Sequence, residues 1–407
     1  MLIEFSVANY RSFRERQTFS LLAAPRLGRK ENIFVPELDG EEGPPLLKAA
    51  AIYGPNASGK SNLIKALRVV QLLARLESSA QQPVLPVNPF RFDPALQTEP
   101  SRFEFHFIAE RQRYKFKLAL TAERIIEEEL VCYPRGKEVL LYSRRYLDQH
   151  EKYVFGDQLE GGRDVQETWR KLTSPQRLFM AQAVANSSEE LRQLRIPFAW
   201  LTSHIDIWCD NNMSALVDFT RMIKDKKSMA ADIVEFVRDL DIPVNHIDFE
   251  APRPLLSEGD SAQRKILLRH QSALGEADFE FEEESFGTQN LIGFFFPWIL
   301  LTHPLSSTRV LVVDELDTSL HPGVVAALVR KHIQLEKAGA QLIFTTHDTH
   351  LMDTKLLRRD QLWLTERDRS GATRLMSIHE FEGRESEDVE KRYYEGRYRG
   401  LPILREG

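Results

Sequence analysis

The sequence is poor in cysteine, and its apolar runs are short. Cys132 and Cys209 stand in unrelated contexts and outside any metal-ligand spacing, which argues against a disulfide framework and a cysteine metal site. The most apolar segment, residues 291–304, is interrupted by Pro297. It is shorter than the roughly 20 residues that a membrane-spanning helix needs. We therefore expect no membrane partner.

An excess of basic charge is also missing. The chain has 54 Lys and Arg residues against 60 Asp and Glu residues, a formal net charge of −6. The chain as a whole therefore has no positive field that would attract nucleic acid, although a local basic groove is compatible with these numbers. The first residues, MLIEFSVANYRSF, have neither the basic nor the apolar part of a targeting signal. We therefore expect a cytoplasmic protein.

What the chain does have is the composition of a folded protein with a sizeable core. Hydrophobic residues make up 42% and charged residues 28% of its 407 positions, which suits one large domain with an insertion, or two domains. Residues 2–13 predict an edge strand and a turn. Alternating segments between residues 102 and 156 predict an antiparallel meander.

The second half of the chain changes from a helical pattern to an alternation of strands and helices. Residues 165–240 have mainly helical periodicity, and residues 264–285 have the pattern of a hairpin. After an apolar helix come, in order, the strand RVLVVDEL, a helix, the strand QLIFTTH, the helix DTHLMDTKLL and the strand QLWLTERD. This order is typical of a parallel sheet, so the predicted fold class is α/β.

A phosphate-binding loop is the strongest signal in the sequence. Residues 54–61, GPNASGKS, fit G-x-x-x-x-G-K-S/T at every fixed position, with a strand before the loop and a helix after it. Gly54 and Gly59 give the backbone the freedom to turn N–H groups toward phosphate oxygens. Lys60 would reach the β- and γ-phosphates, and the Ser61 hydroxyl would ligate Mg²⁺. A chance Gly-rich turn is the alternative, and the flanking elements argue against it.

Two acids and a histidine follow predicted strands near the end of the chain. Asp314 stands at the carboxyl end of VLVVDEL, where open α/β sheets place their ligands, and could hold Mg²⁺. Glu315 is suited to orient the attacking water of a hydrolysis. His347 ends QLIFTTH and could sense the γ-phosphate. The alternatives are a solvated acidic turn and an ordinary surface histidine.

A small polar turn precedes the apolar helix. Ser285, Gly287 and Thr288 form an N-cap whose donors would point outward. Taken alone, this turn is also compatible with a plain helix cap.

Together these motifs resemble the ATP-binding-cassette (ABC) ATPases of the branch that contains SMC, double-strand-break-repair and OLD-family proteins. The order matches: residues 54–61, then Ser-Phe-Gly-Thr-Gln at 285–289 as the signature, then 311–315, then Asp317 in the D-loop, then His347 as the switch histidine. The resemblance implies an ABC-type P-loop ATPase with a mixed central sheet, an antiparallel β-subdomain and a mainly helical insertion. The predicted boundaries are 1–155 and 263–407 for the two ATPase lobes and 156–262 for the insertion.

The resemblance also implies a set of ligand-binding residues. Lys60, Glu315 and His347 would be catalytic, and Ser61 and Asp314 would hold Mg²⁺. The ATP-binding set would consist of Arg11, Ser12, Gly54, Asn56, Ala57, Ser58, Gly59, Lys60, Ser61, Asn62, Ser285, Gly287, Thr288 and Asp317. For the Q-loop glutamine, Gln81, Gln82 and Asn88 are weak candidates in irregular sequence.

Within this branch, the chain is most similar to the stand-alone bacterial ATPases of phage-defence operons, the PtuA-like and RloA-like group. The ending RYYEGRYRGLPIL and the segment LLRRDQLWLTERDRSGATRL carry this likeness. It implies an ATP-dependent homodimer, or a higher homo-oligomer, that controls a separately encoded nuclease. The insertion is too short and too irregular for SMC-like arms, and only 60 residues follow the switch histidine, too few for a built-in nuclease of the OLD type.

Two other functions remain open on the sequence. One is a DNA-repair or DNA-end-sensing ATPase that binds nucleic acid directly, and the other is a nucleotide-dependent scaffold that does not hydrolyse ATP. The tail segment KRYYEGRYRG mixes Arg with Tyr, which suits phosphate contact and base stacking. The same segment also suits a terminal element that packs on the sheet.

Overall fold

The computed structural model describes residues 1–76, 84–208, 226–240, 242–249, 266–302, 309–318, 320–335, 339–384, 387–398 and 400–401. The Q-loop candidates Gln81 and Gln82 lie outside these ranges. So do residues 209–225 of the predicted helical region, which include Cys209, and residues 399 and 402–404 of the C-terminal segment.

A seven-stranded antiparallel sheet forms the first layer, in the order β12-β11-β10-β9-β8-β1-β2. Its strands are β1 (Leu2–Ala8), β2 (Gln17–Ser20), β8 (Ser101–Ala109), β9 (Gln112–Leu120), β10 (Ile125–Cys132), β11 (Val139–Leu147) and β12 (His150–Phe155). Four short strands form two ribbons beside it: β3 (Ile33–Phe34) with β6 (Leu46–Leu47), and β4 (Glu37–Leu38) with β5 (Glu41–Glu42). The predicted meander is confirmed as β8 to β12.

The prediction of β1 as an edge strand was wrong. A tight turn, in which Tyr10 bridges Phe13, returns the chain so that β2 pairs with one side of β1. The other side of β1 pairs with β8. A sequence pattern reports which face of a strand is buried, but it does not report how many neighbours the strand has.

The central sheet is mixed, with the order β13-β17-β18-β7-β19-β20. Its strands are β7 (Ala49–Tyr53), β13 (Ile205–Trp208), β17 (Val310–Val313), β18 (Gln341–Thr345), β19 (Leu362–Arg367) and β20 (Thr373–Ser377). All neighbouring strands are parallel except β19 and β20, which form a hairpin. The predicted α/β class, mixed central sheet and antiparallel β-subdomain are therefore confirmed.

Helices pack in the hydrophobic cores on both faces of the central sheet. The helices of the described ranges are α1 (Lys60–Leu67), α2 (Val69–Ala74), α3 (Gly162–Leu172), α4 (Phe179–Ala185), α5 (Arg195–Ser203), α6 (Lys226–Arg238), α7 (Phe286–Thr302), α8 (Pro322–Ile333) and α9 (Val389–Tyr394). The predicted hairpin is present as β15 (Ile266–Ser272) and β16 (Gly275–Glu280), and β14 (Val244–Phe249) pairs with β15 as a third strand.

The side chains of β7 alternate between two hydrophobic cores. Ala50 and Ile52 join the core that also contains the inner face of the antiparallel sheet. Ala49, Ala51 and Tyr53 join the core on the opposite face, together with α7 and α8. Because β7 is buried on both faces, it reads as a continuous apolar run, as parallel strands do. The phosphate loop therefore begins at the end of a strand held from both sides.

β13 lies within residues 156–262, which were predicted as a mainly helical insertion. It pairs in parallel with β17 as the edge strand of the central sheet. The surrounding range also contains α3 to α6 and β14. This range therefore contributes a strand to the central sheet in addition to its helices.

The segment DTHLMDTKLL was predicted as a helix, and this was wrong. It contains one short 3-10 turn, Thr349–Met352, after which Asp353 is extended. Two aspartates cause this: Asp348 Oδ1 accepts from His350 N, and Asp353 Oδ1 accepts from Lys355 N. Such side-chain caps offer backbone N–H groups an alternative to helical hydrogen bonds.

The described part of the C-terminal segment packs on the sheet. Val389, Tyr393 and Tyr398 are buried in the same core as Leu362 and Leu364 of β19. The Tyr393 hydroxyl donates to Gly400 O at 2.7 Å. Of the two readings of this tail, packing is therefore the one that the structure supports, since two of its tyrosines cannot stack on bases.

No helix within the described ranges is both long enough and apolar enough to cross a membrane.

Candidate functional site

The phosphate loop connects β7 to α1 at the carboxyl end of the central sheet. Gly54 has φ +149° and Gly59 has φ +113°, backbone conformations that residues with a Cβ rarely adopt. Asn56 and Ala57 are exposed at the tip of the loop, and Ser58 is buried. The backbone thus has the turn that the motif predicts, with the start of α1 directed at its interior.

Lys60 is buried against the loop that it follows. Its Nζ donates to Gly54 O at 2.8 Å and to Pro55 O at 3.3 Å. Burial lowers the pKa of Lys60 below its ordinary value, while the carboxylates of Glu315 and Asp314 act in the opposite direction. A cation enclosed by the loop, with the two acids close enough to affect it, is the arrangement expected of a lysine that binds phosphate oxygens.

Ser61 shares a pocket with the two acids that follow β17. The pocket has a volume of about 300 Å³, and its lining includes Ser61, Asp314, Glu315 and Asn290. The structure therefore brings together the predicted magnesium ligands and the predicted catalytic glutamate, which are more than 250 residues apart in sequence.

The donors in this pocket suit a magnesium ion. A serine hydroxyl and an aspartate carboxylate are hard oxygen ligands, and Mg²⁺ in nucleotide sites takes one or two such groups and completes its shell with phosphate and water. Among the described residues, no cluster of three or more His, Cys, Asp or Glu side chains could hold a metal by itself.

Thr345, the last residue of β18, holds both acids in place. Its buried hydroxyl donates to Asp314 Oδ1 at 2.7 Å and accepts from Glu315 N at 2.7 Å. Glu315 has φ +56°, a left-handed backbone conformation that residues with a Cβ adopt infrequently. Sequence reasoning missed Thr345, and its only signal was a hydroxyl residue at the end of the strand next to the acids.

Asp317 and His347 are neighbours across the same edge of the sheet. Asp317 Oδ2 accepts from the backbone N–H of His347 at 3.0 Å, and the His347 side chain is exposed. The switch-histidine candidate is thus anchored through its backbone by the D-loop candidate, which leaves the imidazole accessible.

Ser285 caps α7 on an exposed surface. Its Oγ accepts from Thr288 N at 3.2 Å and lies 2.9 Å from Thr288 Oγ1. The next residue, Phe286, is 49% exposed, and Gly287 is half-buried. Asn290 and Phe294 of the same helix line the pocket of Ser61, but Ser285 is not among the lining residues.

Of the two N-terminal candidates, Ser12 contacts the phosphate-loop region directly. Ser12 Oγ accepts from Asn62 Nδ2 of α1 at 2.8 Å. Arg11 is exposed, has φ +52°, and donates from its Nε to the Tyr10 hydroxyl at 3.1 Å. Its backbone N–H donates to the carbonyl oxygen of Asn88 at 2.7 Å, which is the contact that the structure gives to this Q-loop candidate.

A phosphate loop on one strand, with acids at the carboxyl end of a nearby parallel strand, defines a P-loop nucleotide-binding protein of the α/β class. The chain belongs to the family described as "AAA domain, putative AbiEii toxin, Type IV TA system", which matches residues 49–353. No curated protein matches the sequence.

Two solved structures are similar to the chain over most of its length. The SMC head domain from Thermotoga maritima is 14% identical, with 92% of this chain and 98% of that chain covered and a TM-score of 0.42. A structure of the SmcHead bound to the C-winged helix domain of ScpA is 13% identical, with 93% and 99% covered and a TM-score of 0.48. These likenesses are distant, and the fold class follows from the sheet order itself.

Proposed function

We propose that the protein is an ATP-hydrolysing switch that dimerises around ATP and controls a separately encoded effector nuclease in anti-phage defence. The observation that carries the ATPase part is the pocket that Ser61, Asp314 and Glu315 share beside the phosphate loop. A serine, a metal-binding acid and a second acid at one phosphate site are the groups that hydrolysis of a nucleoside triphosphate requires.

In this proposal the residues of the site divide the work between binding and hydrolysis. The loop N–H groups and Lys60 bind the phosphates, while Ser61 and Asp314 hold Mg²⁺. The ion, when bound, neutralises charge on the β- and γ-phosphate oxygens. Glu315 is exposed at the mouth of the pocket and orients the attacking water, and Thr345 fixes the backbone from which Glu315 projects.

The proposed dimer is supported by the position of the signature turn. Ser285 and Phe286 are exposed, and residues 287–289 of the first turn of α7 are half-buried. This turn carries backbone N–H donors, but residues 285–289 do not line the pocket of their own chain. Donors in that position suit the γ-phosphate of a nucleotide held by a second copy, since a helix N-terminus favours an anion. Phe286, half-exposed next to Ser285, would be covered in the same contact.

The effector part of the proposal is supported by the likeness to phage-defence ATPases and by the family description, which names a putative toxin and a toxin–antitoxin system. Reconstituting the chain with the product of the neighbouring gene tests it. We expect nuclease activity that depends on ATP and on both proteins. Nuclease activity of the chain alone would instead favour a DNA-repair enzyme, and unchanged activity of the neighbour would refute control by this chain.

Glu315→Gln tests the switch. The amide keeps the size of the side chain but cannot serve as a base, so we expect kcat to fall by about a hundredfold or more while ATP binding persists. With ATP and Mg²⁺ the variant should accumulate as a dimer, measured by light scattering. Glu282→Gln, at an exposed position before α7, is the matched control. A Glu315→Gln chain that has the same mass with and without ATP would contradict the proposed dimer.

The scaffold alternative is tested by phosphate release. We expect steady release by the parent chain and none by Lys60→Ala. ATP binding without release above the Lys60→Ala level would favour the scaffold.

A further inference from the structure

Two buried threonines lie behind the phosphate loop, on the side away from the pocket. Thr365 belongs to β19 and Thr373 begins β20, so both come from the hairpin next to β7. Their exposed fractions are 0% and 1%. Both follow residue 353, where the family match ends. They lie in the segment LLRRDQLWLTERDRSGATRL, but neither is among the predicted ATP-binding or catalytic residues.

Thr365 joins the two ends of the loop. Its Oγ1 donates to Tyr53 O at 3.1 Å and lies 2.5 Å from Ser58 Oγ. A hydroxyl has one hydrogen and a carbonyl oxygen can only accept. The direction is therefore fixed: Ser58 donates to Thr365, and Thr365 donates to Tyr53 O. The last residue of β7 and a residue near the end of the loop are held to the same side chain.

Thr373 holds the loop backbone directly. Its Oγ1 lies 2.7 Å from Ser58 O and 2.7 Å from Ser12 Oγ. Since Thr373 donates to the carbonyl oxygen, Ser12 must donate to Thr373. Asn62 Nδ2 donates to Ser12 Oγ in turn. A chain of hydrogen bonds thus runs from the first turn of α1, through the N-terminal segment, to the carbonyl of Ser58.

The hydrogen bond to Ser58 O sets the direction of a phosphate-binding donor. The peptide between Ser58 and Gly59 is planar and trans, so its N–H points opposite to its C=O. With the Ser58 carbonyl held by Thr373, the Gly59 N–H is turned away from β20. A phosphate loop binds through such N–H groups, and their direction is therefore set by a side chain that does not touch the ligand.

The two fixed glycines of the motif make room for these hydroxyls. A Cβ on Gly54 would lie 2.2 Å from Thr365 Oγ1, and a Cβ on Gly59 would lie 2.1 Å from Thr373 Oγ1. Both distances are far below a normal contact. Each motif glycine therefore permits the loop backbone to approach one threonine hydroxyl, in addition to its turn conformation.

We propose that Thr365 and Thr373 are positioning residues of the nucleotide site, whose hydroxyls hold the phosphate loop in its anion-binding form before the ligand arrives. The proposal rests on the proposed function, because it assigns these hydroxyls to nucleotide affinity. A preorganised loop avoids the cost of ordering on binding, so losing a hydroxyl weakens ATP binding more than it slows hydrolysis by the saturated enzyme.

Alanine and serine variants isolate the hydroxyl. Thr373→Ala and Thr373→Ser both lose the methyl group, but only the alanine variant loses the hydroxyl, and the same pair is made at Thr365. Thr173, directly after α3, supplies the control pair. Its Oγ1 donates to a backbone carbonyl, Trp169 O, at 2.7 Å, as the threonines behind the loop do. Each full-length variant is measured for hydrogen–deuterium exchange of residues 54–61 without nucleotide, for the Kd of ATP with Mg²⁺, and for kcat.

We expect Thr373→Ala to raise both the exchange rate of residues 54–61 and the Kd for ATP by about fivefold or more, with kcat at saturating ATP within about twofold of the parent. Thr365→Ala should act in the same direction. The serine variants and both Thr173 variants should exchange and bind within about twofold of the parent. A purely structural role would lower the melting temperature without this difference between alanine and serine.

Three results overturn the inference. Alanine variants that exchange and bind like the parent show that the hydroxyls do not position the loop. Faster exchange with unchanged Kd shows that the position of the loop does not govern affinity. Serine variants as weak as the alanine variants assign the effect to the methyl group. A parent chain that binds no ATP refutes the proposed function instead, while the exchange rates still decide whether the hydroxyls hold the loop.

Discussion

The two sides of the phosphate loop are built from different chemistry. The front, on the side of the pocket, carries charged groups: Asp314 and Glu315 line the pocket, and Lys60 is enclosed by the loop close to both acids. The back carries the neutral and nearly inaccessible hydroxyls of Thr365 and Thr373. Accessible charged groups can contact a ligand and its reacting atoms, whereas buried neutral hydroxyls can only position other groups of the protein. The comparison separates groups that act on a nucleotide from groups that keep the site in shape.

The largest effect is expected at the front. Lys60→Ala removes the cation that the loop encloses, and losing charge-assisted hydrogen bonds to phosphate costs about 3 kcal/mol, roughly a hundredfold in Kd for ATP. Isothermal titration measures it, with Lys171→Ala at an exposed position of α3 as control. If Lys60→Ala bound ATP no more weakly than the alanine variants of the back, the division between the two sides would be wrong.

An intermediate effect is expected at Thr345, which is a buried hydroxyl like those of the back but contacts the acids of the front. Thr345 is a buried hydroxyl that holds the front acids, so Thr345→Ala should lower kcat about tenfold and change the KM for ATP by less than about threefold. Thr345→Ser, which retains the hydroxyl, should restore kcat in the same steady-state assay. For Thr373→Ala we expect the opposite: weaker ATP binding with nearly unchanged kcat. If Thr345→Ala raised KM and left kcat unchanged, Thr345 would act on nucleotide binding, as the threonines at the back of the loop do.

The smallest effect is expected for a hydroxyl that holds nothing. The Tyr53 hydroxyl is buried without a hydrogen-bond partner among the described residues, and burial raises the pKa of Tyr53 well above its ordinary value. Tyr53→Phe should change the free energy of unfolding by less than about 1 kcal/mol, or stabilise the protein. ATP affinity should not change, although Tyr53 lies next to Gly54.

Tyr142 is the matched control for that measurement. Its buried hydroxyl donates to Glu128 Oε1 at 2.8 Å, so Tyr142→Phe should lower the free energy of unfolding by about 1–3 kcal/mol in the same denaturation experiment. If the two variants lost the same free energy of unfolding, the Tyr53 hydroxyl would have a hydrogen-bond partner in solution. The contrast between hydroxyls with and without a partner would then be wrong.

The sequence predicts the front better than the back for a physical reason. Lys60, Ser61 and Asp314 must be particular residue types at particular spacings, because phosphate and Mg²⁺ accept few alternatives. Thr365 and Thr373 need only a hydroxyl at a point that the fold brings near the loop. That point depends on the pairing of β19 with β7, which the local sequence does not encode.

The same limit applies to the fold. Burial patterns identify β7, the meander and the strands β17, β18 and β19 of the central sheet, because each pattern is local. They do not reveal that β1 has two neighbours, or that β13 leaves a helical region to pair with β17. They also fail at residues 348–357, where the side-chain hydrogen bonds of two aspartates outweigh helical periodicity.

The edge position of β13 has a mechanical consequence. Trp208 O, at the end of this four-residue strand, accepts from Asp314 N at 2.8 Å, and only one neighbouring strand holds β13 in place. Peeling β13 away would take less force than displacing an inner strand, and it would deprive Asp314 of its backbone tether while Lys60 and the loop stayed intact. A force applied to the chain at this edge would thus stop ATP hydrolysis while ATP remained bound.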